Sequence, residues 1–236
     1  AWRDGLWYAV GSVNGAVGLY RLTPSASGRG ARAIELVLAV ESQGDEHGAH
    51  AVAVGPDGML YLAIGDHARL ARPPRGAFPL LSAGREAHVP GIQVLDDPNG
   101  QSQGVRYPCG YVARIDPATG EWDYHSVGYR NPYDIAFDAG GELFTYDSDM
   151  EWDIGLPWYR PTRFLHAVPG GDYGWRPGSG VLPEHCFDVL PAALEAGRGS
   201  PTGLAFCESD AFPARYRGAL FAGDWGEGEI LAFFPR

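Results

Sequence analysis

"HAVAVGPDGMLYLAIGD", residues 50–66, carries two short apolar runs around a Gly-Pro-Asp-Gly turn and ends on an acid. The same plan returns in "YDIAFDAGGELFTYDSD" (133–149) and in "TGLAFCESDAFPARYRGALFAGDW" (202–225), where the second run again closes at an Asp. Pro presets one turn dihedral, Gly tolerates the left-handed region, and Asp bonds its own turn backbone, so these segments read as hairpins. A hairpin unit repeated with insertions predicts an all-β chain folded as a β-propeller, whose blades set strand ends around a central channel. A β-sandwich also uses many short strands, but the shared terminal acid favours the propeller.

Working outward, strand-like runs lie at Leu6–Val10, Val17–Arg21, Ile34–Val40, Ala51–Val54, Met59–Ile64, Tyr111–Ile115, Trp122–Ser126, Ile135–Phe137, Leu143–Tyr146, Gly203–Phe206, Ala219–Gly223 and Ile230–Phe234. The 34 Gly and 19 Pro suit short strands and tight turns rather than helices. Residues 68–108 are rich in Pro and Gly and read as a long inserted loop; residues 150–200 read as a second loop-rich stretch dense in Trp, Tyr and Arg. Residues 1–236 are expected to form one propeller domain. "GLWYAV" near the start and "EILAFFPR" at the end both read as strands met in mid-sheet, as in a chain cut at both ends.

The net charge is −11 and no basic run occurs, which argues against nucleic acid as a partner. All 18 basic residues are Arg, so a Schiff-base lysine and a P-loop lysine are excluded. Cys109, Cys186 and Cys207 form neither a CxxC pair nor a CxxCH haem attachment. No run of 18 apolar residues is present, so no helical membrane span is expected.

Four motifs in one order, "EHGAHAVAVGPDGMLYLAIGD" (46–66), "GYRNPYDIAFDAGGELF" (128–144), "GGDYGWR" (170–176) and "SPTGLAF…FPARYRGALFAGDW" (200–225), make the chain resemble the glucose/sorbosone dehydrogenase family. These are soluble sugar dehydrogenases that use pyrroloquinoline quinone (PQQ), and within the family the chain looks most similar to a bacterial branch of membrane-bound or L-sorbosone-type dehydrogenases. The resemblance implies a six-bladed propeller, of which about 40–50 residues per blade would give this chain four to five blades. It also implies oxidation of a sugar or polyol with PQQ and Ca²⁺, a separate electron acceptor such as a cytochrome c, and a periplasmic or exported location.

The resemblance assigns roles residue by residue. His47 matches the family's base, and imidazole suits proton abstraction near neutral pH. Asp66 matches the acid that orients it. The hairpin supports the pairing, since the segment before the first strand and the residue after the second lie at one edge; the alternative is a His47 that merely caps a strand. His50 reads as structural or as rim, and an HxxH metal pair lacks a third ligand with clear spacing. Arg130 and Asn131 match the family's cofactor-contacting pair, with a planar charged donor and a neutral one for quinone oxygens; the alternative is an Asn-Pro turn. In "TYDSDMEWDIG", Asp147 stands where the family commonly has Glu, Asp149 and Met150 where it has calcium-binding carbonyls, and Asp153 is the nearest further carboxylate. Such a cluster suits a hard cation, while an acidic surface loop explains it equally well. "GGDYGWR" reads as architectural, with Tyr173 and Trp175 packed between blades.

One departure stands out. The position of the family's cofactor-binding Lys is Gly226 here. A tricarboxylate cofactor held by fewer cations binds less well. Two rivals to the dehydrogenase therefore remain: a non-catalytic propeller that binds carbohydrate or protein, and a Ca²⁺-dependent lactonase-type hydrolase.

Overall fold

The computed structural model describes residues 1–42, 46–78, 95–96, 103–150, 159–178 and 189–235. Within them lie four antiparallel sheets in chain order. The first comprises β1 (Trp2–Arg3), β2 (Leu6–Val13), β3 (Ala16–Pro24), β4 (Ala31–Ser42) and β7 (Ala68–Leu70). The second comprises β5 (Ala49–Val54), β6 (Leu60–Ile64), β8 (Gly110–Ile115) and β9 (Trp122–Tyr129). The third holds β10 (Pro132–Phe137), β11 (Leu143–Asp147), β12 (Thr162–His166) and β13 (Leu194–Gly197), and the fourth β14 (Pro201–Phe206), β15 (Leu220–Asp224) and β16 (Glu229–Phe233).

Turn chemistry sets the hairpins. Between β2 and β3, Asn14 and Gly15 both take positive φ, 51° and 83°. That two-residue turn matches the twist of the flanking strands. In the first two repeats an Asp closes the turn: Asp57 Oδ1 accepts from Met59 N, and Asp138 Oδ1 from Gly140 N and Glu142 N.

Every residue of β6 and of β11 is buried. A strand buried along its whole length is covered on both faces. The sheets stack accordingly: β2 packs on β5, β5 and β6 on β10, and β10 on β14. Successive sheets joined face to face through their first strands are the blades of a β-propeller, so the expected fold class holds and four blades are visible. Core clusters fill each junction, one around Leu62, Ile64 and Trp122, the next around Tyr129, Leu165 and Tyr173, the last around Phe144, Tyr146 and Phe164.

All twelve expected strands are present, most with slightly different ends. Two loop readings need correction. The stretch 68–108 opens as a strand, because β7 leaves the second blade to pair with β4 of the first; within the rest, residues 79–94 and 97–102 lie outside the described region. The stretch 150–200 contains β12 and β13, whose pairing completes the third blade. Gly and Pro density around these short strands masks their alternation.

Candidate active site

The first strand of each of the last three blades begins with a break in register, at Ala49–Val52, Pro132–Ile135 and Pro201–Leu204. Such a break bends the strand and re-aims the residues at its entrance. The repeated acids sit opposite these entrances. Asp147 accepts from Arg130 N at 3.2 Å and Asn131 N at 2.9 Å, just ahead of β10. Asp224 accepts from Ser200 N at 2.9 Å, just ahead of β14. Asp66 occupies the matching place in the second blade but holds a side chain instead: its Oδ1 lies 2.5 Å from Nδ1 of His47.

This His47–Asp66 pair is buried, with side-chain exposures of 6% and 0%. The second oxygen of Asp66 accepts from the indole Nε1 of Trp175 at 2.8 Å. Because the carboxylate is the acceptor, His47 carries its proton on Nδ1 and its basic lone pair on Nε2. The close approach of the two strands depends on Gly65: a Cβ there would stand 2.6 Å from the His47 carbonyl oxygen and 2.6 Å from Asn131 Oδ1.

The Arg130–Asn131 turn is pinned from both sides. Asp147 takes its N–H groups, and Asp66 N donates to the Arg130 carbonyl at 2.9 Å. Arg130 Nη1 donates to Ser148 Oγ at 3.0 Å, and its guanidinium carbon lies 5.8 Å from the Trp175 ring centre. Among the described residues no carboxylate pairs with this guanidinium. Asn131 faces inward: its Oδ1 lies 2.6 Å from Nε2 of His50, and its Nδ2 donates to the Glu46 carbonyl at 3.3 Å.

His50 is therefore more than rim. It is fixed by Asn131 and stacked on Tyr133 with ring centres 4.8 Å apart. Burial lowers its pKa, outweighing the bond to Asn131, and the neighbouring His47 lowers it further. A concavity of about 870 Å³ opens beside His50, Glu46 and Tyr133. A second, of about 490 Å³, opens beside Asp66, His67, Tyr107 and Cys109.

The expected calcium ligands are arranged differently. Asp147 is fully buried, and besides the turn it holds Arg163 Nη2 at 2.8 Å. With both oxygens so engaged it acts as a clamp of the turn and a counter-charge to Arg163. Met150 exchanges two backbone bonds with Arg160, its carbonyl accepting at 2.7 Å, and its side chain is buried against Trp175. Asp149 is buried near Gly199. Asp153 lies outside the described residues. Asp224 likewise is spent on Ser200 N and the Tyr146 hydroxyl.

Trp175 and His67 were not read as site residues from the sequence. Trp175 arrives because residues 171–175 run beside the end of β9, bonded through Val127 and Gly128. "GGDYGWR" is thus architectural, as expected, and also delivers a donor to the buried carboxylate. His67 had one signal, its place directly after Asp66.

No family model matches the sequence, and no curated protein matches it. Solved structures do match by shape. The PQQ-bound aldose sugar dehydrogenase of Streptomyces coelicolor aligns at TM-score 0.59 and 17% identity, over 98% of this chain and 63% of that one. The soluble aldose sugar dehydrogenase of Escherichia coli, in its apo form, aligns at 0.60 and 17%, over 98% and 64%. A Thermus thermophilus oxidoreductase (glucose dehydrogenase) aligns at 0.59 and 22%, over 96% and 60%. The chain has the fold of the sugar dehydrogenases. It spans somewhat under two thirds of the length of these structures. The expected resemblance thus extends to three dimensions.

Proposed function

We propose that this propeller carries the base and quinone-binding half of a PQQ-dependent dehydrogenase site acting on a sugar or polyol. The buried His47–Asp66 pair beside the Arg130–Asn131 turn carries the reading. The residues present fit the quinone end of the cofactor: Arg130 keeps planar charged donors without a carboxylate partner among the described residues, next to a histidine with its basic nitrogen on Nε2. Bound there, PQQ would supply a two-electron acceptor for the hydride leaving the substrate carbon. His47 Nε2 takes the hydroxyl proton. Asp66 then stabilises the imidazolium at 2.5 Å, and Trp175 keeps the carboxylate from turning away. The His50–Tyr133 stack offers an aromatic wall against which a sugar ring can lie. Both oxygens of Asp147 are engaged by the turn and by Arg163, so no step is derived through a calcium ion at this stretch.

A separate electron acceptor such as a cytochrome c belongs to the proposal, as does a periplasmic or exported location; among the described residues no helix is long and apolar enough to cross a membrane. A second reading, a carbohydrate-binding propeller without turnover, is favoured by one observation, Gly226 in place of a lysine. Sugar-dependent dye reduction in the presence of PQQ separates the two. The dehydrogenase reading expects activity that falls by about 10²–10⁴-fold in His47→Ala. Retained sugar binding with no dye reduction across aldoses and polyols would favour the second reading.

A further inference from the structure

The crossover from β6 to β7 turns sharply, with Ala68 N bonded to the Gly65 carbonyl at 3.1 Å. This folds His67 back over His47, ring centres 4.5 Å apart and planes inclined by 28°. His67 Nε2 comes within 3.7 Å of Asp66 Oδ1, the oxygen that also faces His47 Nδ1. The three side chains place one ligand atom each within 4.8 Å of the others. All three are nearly enclosed, His67 at 8% side-chain exposure. Two imidazoles and one carboxylate are the donor set of a borderline transition metal such as Zn²⁺ or Co²⁺, not of calcium. At metal–ligand distances of roughly 2.0–2.1 Å, tetrahedral ligand atoms stand about 3.3 Å apart. The separations from Asp66 Oδ1, 2.5 Å to His47 and 3.7 Å to His67, bracket that value, and the two imidazole nitrogens lie within 4.8 Å of one another, so shifts of up to about 1.5 Å close the cage. The concavity of about 490 Å³ beside Asp66 and His67 supplies an approach and space for a water as fourth ligand.

We infer that His47, Asp66 and His67 form a binding site for a divalent transition metal of the zinc class. Binding moves the His47 proton from Nδ1 to Nε2, with no net proton released, since Nδ1 needs its lone pair for the metal. If the dehydrogenase reading holds, metal binding and base action at His47 exclude one another, and occupancy inhibits the enzyme.

The test is a Co²⁺ titration of the chelator-washed protein, read by visible d–d absorption and by proton NMR, with no quinone or sugar present. Its outcome is therefore separate from that of the dehydrogenase proposal. One equivalent of Co²⁺ should give tetrahedral or five-coordinate absorption and hyperfine-shifted ring N–H resonances from two histidines. Affinity should fall by at least about tenfold in both His67→Ala and His67→Gln and persist in His50→Ala. Absence of the absorption at about 1 mM Co²⁺ overturns the site. So does a spectrum with fewer than two shifted histidine resonances, or one retained in folded His67 variants.

Discussion

Asp66 spends one oxygen on His47 and the other on Trp175, and that division is what makes it an orienting group. Replacing it with Asn keeps the volume and lets the amide donate to His47 Nδ1, which forces the proton to Nε2 and, on the dehydrogenase reading proposed above, removes the base. Asp66→Asn should therefore lower kcat by about 10²–10⁴-fold while leaving the thermal midpoint close to that of the parent. A matching loss of folded protein would mean the pair is structural. The His47–Asp66 pairing was legible because hairpin geometry brings the two ends of 46–66 together. Trp175 was not, since its approach depends on a segment more than a hundred residues away in sequence lying against β9.

Among the strands and turns, the acid ending each second strand has two uses. In the third and fourth blades it clamps the entrance of the first strand; in the second it holds a histidine. Sequence alone shows the repeat and not the difference, which explains why Asp147 looked like a cation ligand. Its partner Arg163 sits in β12, a strand hidden in Gly- and Pro-rich surroundings. Asp147→Ala leaves that guanidinium largely buried and uncompensated and should cost about 3–5 kcal/mol in denaturant unfolding, with calcium or a chelator making no difference. Stabilisation of the parent by calcium that disappears in Asp147→Ala would restore the ligand role. Gly65→Ala tests the other junction. Its Cβ would meet the backbone of His47, so the two entrances must part. Dye reduction should fall further than the loss of stability accounts for, and an active Ala variant would show that the close approach is dispensable.

For the molecule as a whole, burial of histidines sets a pH limit. Burial lowers the pKa of His50 and of His125 below 6.5, the first held by Asn131 and the second bonded to the Ala167 carbonyl. Between each lowered value and 6.5 the unfolded chain binds more protons than the folded one, so stability rises with pH through that window and is fully present above it. The thermal midpoint should be lower at about pH 5.5 than at about pH 7.5, and His50→Gln should flatten the slope; an unchanged slope would remove His50 from the account. The propeller itself was legible from three repeated hairpins, because strand period and turn chemistry are local. Blade completion was not, since β7 and β13 pair across the chain with little pattern of their own. The central claim is that this propeller binds PQQ through Arg130 beside a His47–Asp66 base, without any lysine. Calorimetric titration of PQQ into the protein and into Arg130→Ala tests it most directly. The account predicts saturable one-to-one binding that weakens by at least about tenfold in the variant, a loss of about 1.4 kcal/mol. No heat of binding at about 100 μM PQQ, or equal binding by both proteins, would contradict it.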